Sequence, residues 1–311
     1  MSSSFALSWR DRMKLSIVIP AHNEQDNIGG TLHELHKVLV VEAGLPCEII
    51  VVNDNSDDNT AAVVADYAGT HTDLELRLIN RAPPGGFGRA IRTGLEAVTG
   101  DAVVIYMADQ SDDPRDVLLY HRKLEEGYDC VFGSRFMRGS TVTDYPRVKL
   151  IVNRMVNRGM QLLFWTHFND LTNAFKAYRT HVIQDVGPFY SSHFNITVEM
   201  SLAALIRKYQ IAQVPISWHG RTWGSSHLRL TEMGRKYLFV VLKVLAEKWL
   251  IRDDLLAERL AHNRQYERTI VDMDDRVRAL ENRLERIEQG QMITPIDLVE
   301  ANPMNQTKGV N

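Results

Sequence analysis

The stretch LSIVIPAHNE, residues 15–24, begins with a short β-branched run and turns polar within two positions of its end. A strand that is apolar on both faces belongs to a sheet covered by helices on both sides. Polar residues immediately past such a strand mark the edge where these sheets bind ligands. The same order recurs further along. EIIVV (48–52) runs into NDNSDDNT (53–60), and AVVIYM (102–107) runs into ADQSDDP (108–114). LELRLI (74–79) and DCVFGS (129–134) supply two more short runs, with amphipathic stretches between. This alternation predicts an α/β fold, a mostly parallel sheet with helices on both faces.

Composition bounds the partners. The chain has 311 residues, 44% hydrophobic and 24% charged, which is ordinary globular usage and excludes wholesale disorder. Its 36 basic and 39 acidic side chains leave a net charge of -3, so no global field holds a nucleic acid and any phosphate must be met locally. Cys47 and Cys130 stand singly in apolar runs, as small buried residues of a reducing, cytoplasmic setting. The first fourteen residues lack a signal-peptide apolar core, and no run of about 18 uncharged apolar residues exists to cross a membrane.

The chain divides by character into an N-terminal arm (1–13), the α/β domain (14–230), an amphipathic helix (231–254), a coiled coil (255–290) and a disordered tail (291–311). Leu238, Val241, Leu242, Leu245 and Trp249 recur at helical spacing among lysines and arginines, a stripe that either packs on the domain or lies on a membrane surface. Ile270, Met273, Val277, Leu280, Leu284 and Ile287 keep a heptad, which predicts a parallel homo-oligomer.

The three polar loops carry the candidate chemistry. Asn23 and Glu24 suit the start of a helix, yet also face the ligand edge. In the second loop one residue would cap the next helix, whereas eight polar ones stand in a row. Asp54 there can accept the N–H of a nucleobase. The third loop places Asp109, Asp112 and Asp113 within five residues, a candidate site for an oxygen-seeking cation such as Mg²⁺ or Mn²⁺. Asp112 and Asp113 equally suit the N-terminus of a helix with Pro114 in its first turn. Asp109 is therefore the preferred ligand. Between these loops GGFGRA (85–90) leads into a helix whose N-terminus, with Gly88 and Arg89, suits an anion.

Taken in order, PAHNE (20–24), NDNSDDNT, GGFGRA, ADQSDDP, GSRF (133–136), DLTNAFKAYR (170–179) and RTWGSSHL (221–228) resemble the family 2 glycosyltransferases of the Rossmann-like GT-A fold. Within them the set is most similar to the polyprenyl or dolichyl phosphate mannosyltransferase and glucosyltransferase group, over residues 14–230. The resemblance implies a nucleotide-diphosphate sugar donor, a divalent cation and inversion at the anomeric carbon. It implies that Pro20, His22, Glu24, Asp54, Ala108 and Asp109 meet the donor and that Asp109 and Ser111 hold the metal. Arg135 and Arg147 would bind a polyprenyl phosphate at a membrane surface, and Arg221 with Ser226 would close over the phosphates. The chain departs from the pattern at Met107 and Asn53, where the family has acids, at Ser111 for the usual glutamine, at Ile151 for a serine and at His227 for a lysine.

Two acceptors stay open. A phosphate monoester is already anionic near neutrality and needs no base. A sugar hydroxyl needs a carboxylate to take its proton, and Asp170 is then the candidate. A non-catalytic nucleotide-sugar binder held on a coiled-coil scaffold is the alternative from outside enzymology.

Overall fold

A computed structural model describes residues 13–220, 230–250 and 277, with the side chains of the last helix from 234 onward. The chain forms two compact units, Met1–Lys248 and Trp249–Asn311. The predicted coiled coil, apart from Val277, the tail and nearly all of the arm lie outside the described residues.

The central strand is β1 (Leu15–Ala21), buried at every position as its unbroken apolar run requires. It pairs in parallel with β2 (Cys47–Asn53) on one side and β4 (Ala102–Ile105) on the other, in registers that set Leu15 against Cys47 and Ala102. β3 (Glu75–Asn80) extends the sheet beyond β2. Past β4 come β7 (Lys176–Arg179), β5 (Cys130–Ser134) and β8 (Ile211–Pro215), giving the order β3-β2-β1-β4-β7-β5-β8. β7 alone runs antiparallel to its neighbours. β6 (Thr141–Thr143) and β9 (Ser217–His219) form a separate two-stranded ribbon. The mostly parallel sheet expected from the sequence is present.

Chain order reverses between β1 and β4, because β2 and β3 build outward on the other side of β1. That reversal opens a crevice at the carboxyl ends of the two strands, where the loops after residues 21 and 105 meet. The helices are α1 (Ile28–Leu35, continued as a wider turn to Glu42), α2 (Thr60–Thr70), α3 (Phe87–Glu96), α4 (Pro114–Glu125), α5 (Arg147–Phe164), α6 (Thr180–Val186), α7 (Ile196–Ile206) and α8 (Leu230–Leu250). α4 starts as its sequence dictates, with Asp113 as N-cap accepting the Arg115 N–H at 2.9 Å and Pro114 in the first turn. On one face of the sheet Leu15, Ile17, Ile19, Val51 and Val104 pack with Leu32, Leu35, Val117 and Tyr120.

α8 meets the predicted stripe in part, with Val241 packed. Its packed line is Val240, Val241 and Val244, while Leu238, Leu242 and Trp249 of the predicted stripe are more than half exposed. The cause is an ion pair. Lys243 Nζ donates to Glu199 Oε1 at 2.9 Å, and the same carboxylate accepts the N–H groups of Tyr190 and Ser191, so α8 is turned to bring Lys243 onto α7. Burial alone would raise the pKa of Glu199, but these hydrogen bonds outweigh it and hold the pKa below 4.5. A carboxylate depressed in the folded state contributes stability above its unfolded pKa and loses it as pH falls through the folded value. Amide hydrogen exchange in α8 should therefore quicken relative to the sheet as pH falls below the ordinary carboxylate range. Glu199→Gln should remove that pH dependence.

Candidate functional site

At the crevice the first two loops are laced together. Asn23 N donates to Ser56 Oγ at 3.0 Å, Asp57 N to Asn23 Oδ1 at 2.8 Å, Glu24 N to Thr60 Oγ1 at 2.9 Å and Gln25 N to Asp58 Oδ2 at 3.1 Å. His22 Nδ1 lies 2.8 Å from the Asp54 carbonyl oxygen. Much of the polar run after β2 is thus spent on holding the loop after β1. Asn23, Asn55 and Gln110, one beside each of β1, β2 and β4, adopt left-handed backbone with φ of 55°, 58° and 58°. Such conformations away from glycine are uncommon and persist where the surroundings enforce them. For Gln110 the enforcement is visible, since its Nε2 donates to the Asn27 carbonyl at 3.0 Å.

Asp54 is buried beside this lacing, and its carboxylate is engaged. One oxygen accepts from Arg81 Nη1, the other from the Gly86 N–H at 2.5 Å, so Asp54 ties the 81–86 segment to the end of β2.

The α3 N-terminus departs from expectation. Gly88 N donates to the Ser192 carbonyl at 3.1 Å, Arg89 Nη1 donates back to the Gly85 carbonyl at 2.7 Å, and the Phe87 and Phe194 rings stack at 4.0 Å. The 191–194 segment therefore covers the amides that were expected to receive an anion. Gly88 is a glycine for packing, because a Cβ there would stand 2.3 Å from the Ser191 oxygen and 2.9 Å from that of His193. Gly88→Ala should cost about 1–3 kcal/mol through displaced backbone, read as a lowered urea midpoint at unchanged slope.

The loop after β4 is buried: Ala108, Asp109, Ser111 and Asp112 are each at most 4% exposed. The Ala108 carbonyl accepts Thr31 Oγ1 at 2.8 Å and Asp109 Oδ1 accepts the Ser111 N–H at 3.2 Å. Neither carboxylate oxygen of Asp112 makes a hydrogen bond of ordinary geometry. Burial, with the adjacent Asp109 charge, pushes the Asp112 pKa far above the usual carboxylate range, against the opposing pull of Arg135. An all-oxygen donor set whose buried carboxylate makes no hydrogen bond of ordinary geometry fits a hard divalent cation. No three of His, Cys, Asp and Glu converge as a metal cage among the described residues. A cation on Asp109 would complete its shell with diphosphate oxygens and water.

On the far side of the crevice Arg135 and Asp170 form a closed unit. Asp170 is fully buried, and it accepts from Arg135 N at 3.0 Å, Nε at 2.8 Å and Nη2 at 2.8 Å. The rings of Phe136, Tyr145 and Trp218 stand 5.5–5.9 Å from the guanidinium. Burial works against the Arg135 charge, but Asp170 outweighs it and drives its pKa higher still. Beneath them Lys176 is buried and donates to the carbonyls of Leu171, at 2.8 Å, and Asn173; burial pulls its pKa down to about 7. Two expectations change here. Asp170, paired through both oxygens, is not placed to take a proton from an acceptor, and Arg135 is not an open phosphate ligand.

Arg147 opens α5 and is exposed, while Arg221 and Ser226 lie outside the described residues. Pro20 is buried within β1. The structure thus brings Pro20, His22, Glu24, Asp54, Ala108, Asp109 and Ser111 to one sheet edge. Sequence reasoning missed the orphaned carboxylate of Asp112 and the aromatic enclosure by Tyr145 and Trp218. The β6–β9 ribbon places that enclosure, with His219 N donating to the Ser111 carbonyl at 2.9 Å.

Comparison with known proteins agrees with this geometry. The polyprenol monophosphomannose synthase of Mycolicibacterium smegmatis is 25% identical over 70% of this chain and 82% of its own length. The dolichol-phosphate mannosyltransferase of Pyrococcus furiosus is 26% identical over 70% of this chain, which spans only 60% of that longer protein. In three dimensions the chain is similar to glucosyl-3-phosphoglycerate synthase from Mycobacterium tuberculosis in complex with Mn²⁺, UDP and glucosyl-3-phosphoglycerate, with a TM-score of 0.59, 20% identity, and coverage of 76% of this chain and 82% of that one. The sequence model of glycosyl transferase family 2 matches residues 16–187, more than half of the chain and every strand that builds the crevice. The protein therefore belongs to glycosyl transferase family 2 and is a glycosyltransferase.

Proposed function

We propose that the protein moves a hexosyl group, with inversion, from a nucleotide-diphosphate sugar to a polyprenyl phosphate presented at a membrane surface, assisted by Mg²⁺ or Mn²⁺ at Asp109. The names of the two relatives favour mannose as the sugar. The observation that carries the acceptor assignment is the pairing of Asp170 with Arg135. Around the crevice Asp54 is paired with Arg81 and Asp113 caps α4. A hydroxyl acceptor would find no committed base among them, whereas a phosphate monoester requires none.

Each group then has a task. Asp54 fixes the 81–86 segment that walls the nucleotide side. Asp109, oriented by the Ser111 N–H, offers its carboxylate toward the diphosphate, with the Ser111 hydroxyl and Asp112 beside it. The cation, when bound, neutralises the charge that builds on the diphosphate as the sugar–phosphate bond breaks. Arg147 and Ser226 are assigned to the acceptor phosphate and Arg221 to the leaving diphosphate. The predicted parallel oligomer belongs to the same reading.

No helix among the described residues is long and apolar enough to cross a membrane, which is compatible with peripheral placement. The test is direct incubation of the full chain with GDP- and UDP-sugars and a polyprenyl phosphate in detergent, with Mn²⁺ or with EDTA. An acid-labile sugar phospholipid formed only with the metal is expected. Turnover confined to sugar hydroxyl acceptors would overturn the assignment.

A further inference from the structure

α8 carries an apolar row that the domain leaves uncovered. Leu238, Leu242, Leu245 and Trp249 follow one another at intervals of four, three and four residues. Leu238 and Leu242 are 56% and 51% exposed, Leu245 is half-buried, and Trp249 is 81% exposed. The packed line of Val240, Val241 and Val244 lies on another side, about 120° around the helix at 3.6 residues per turn. Lys243, paired with Glu199, holds that orientation. The same alternation of threes and fours, continued from Trp249 without a skipped residue, meets Leu256, Asn263 and Tyr266 and then the 270–287 heptads, with Arg252 and Arg259 as interruptions. Val277, which falls on that count, is also 50% exposed.

We propose that this row of α8 docks on the same row of a second copy of the chain, as the first part of a parallel two-stranded coiled coil. The interface between copies then begins on α8, the helix whose other side packs on the catalytic domain. A hydrophobic period of 3.5 residues is what keeps one helix facing another along its length. A single slipped residue between 249 and 270 would have put the α8 row out of phase with the later heptads, and none is present. Charge selects the partner. Lys248, Arg276 and Arg283 at g positions precede by five residues Asp253, Glu281 and Glu288 at e positions, which sets opposite signs against each other across two parallel chains in register. A lipid surface fits less well, because acids such as Asp253, Asp254, Glu258 and Glu267 continue along the stretch past Trp249. The inference rests on the parallel oligomer of the reading above and uses nothing of the transfer reaction.

Disulfide trapping in the full chain tests it. Leu242→Cys, at an a position, should link two chains during copper-catalysed air oxidation at low micromolar concentration, and Val277→Cys, at an a position of the later heptads, should do the same. Leu250→Cys, 77% exposed but at an outer b position, should link at least about tenfold more slowly, because thiols there are held too far apart. The parent chain is the blank, since burial raises the pKa of both native thiols, that of Cys47 to about 12. Sedimentation should give twice the chain mass. Leu238→Asp/Leu242→Asp should weaken the dimer by about tenfold or more, with the near-ultraviolet spectrum unchanged because both side chains are more than half exposed in the single chain. A parent that sediments as a monomer overturns the proposal. Linking through Val277 without linking through Leu242 also overturns it, by confining the contact to the later heptads, and so does equal linking through Leu250. A trapped Leu242→Cys dimer that transfers no sugar supports the interface and removes only the transfer reading.

Discussion

Asp170→Ala lowers conformational stability by about 3–5 kcal/mol in urea unfolding, the amount expected when one partner of a buried ion pair is removed. The side chain is fully buried and Arg135 is nearly so, so the alanine variant leaves a guanidinium without its counter-charge among Phe136, Tyr145 and Trp218. Lys176, whose charged form Asp170 also favours, loses the same support. Replacing both partners together, as Arg135→Met/Asp170→Leu, should recover most of the loss, since an apolar pair of similar volume avoids the desolvation of both charges. The kinetic consequence separates two roles. A general base contributes about 10²–10⁴ to the rate. If Asp170 were that base, Asp170→Asn would remove this factor from a protein that is still folded and would flatten the acidic limb of the pH profile. As a positioning residue it instead yields a less stable enzyme whose remaining folded fraction keeps the shape of the profile and acts on a lipid phosphate. A stable Asp170→Asn protein slowed a thousandfold would return Asp170 to catalysis and the acceptor to a hydroxyl.

How much of this was legible beforehand follows from what each signal measures. LSIVI, EIIVV and AVVIY are long enough, and apolar enough on both faces, to declare buried parallel strands, and all three form the centre of the sheet. The polar residues past them pointed to the crevice because strand ends in such sheets leave backbone and side chains free for a ligand. KAYR was not legible as β7. Four residues carry no usable period, and its lysine, which argues for exposure in any sequence pattern, is buried under Arg135 and Asp170. Gly88 and Arg89 resembled an anion cradle because glycine before a helix means close approach. What approaches is the chain's own 191–194 backbone, more than 100 residues away in sequence, a contact that no local pattern encodes. For the same reason the side of α8 that turns inward was not deducible: of the predicted stripe only Val241 is buried, and Lys243 pairs with Glu199 of the mostly apolar α7.

Asp109→Ala should lower turnover with Mn²⁺ by about 10²–10³, the loss typical of removing a charged group that positions transition-state electrostatics. The size of the effect follows from how few alternatives the crevice holds. Met107 stands where the resemblance places a first acid, Asp113 is consumed in capping α4, and Asp54 is paired with Arg81 on the other side of β1. Asp109 is oriented by the Ser111 N–H at the reversal between β1 and β4, and Asp112 is the further buried acid of that loop, its carboxylate without a hydrogen bond of ordinary geometry. Ser111→Ala should cost within about tenfold, because a neutral hydroxyl is readily replaced by water in the shell of a hard cation. Calorimetric titration of Mn²⁺ into the UDP-bound protein gives the same ranking without turnover: affinity lost for Asp109→Ala and modestly weakened for Ser111→Ala. An Asp109→Ala enzyme within tenfold of the parent, with Mn²⁺ affinity preserved, would show that the cation is held elsewhere and would detach the donor site from the reversal point of the sheet.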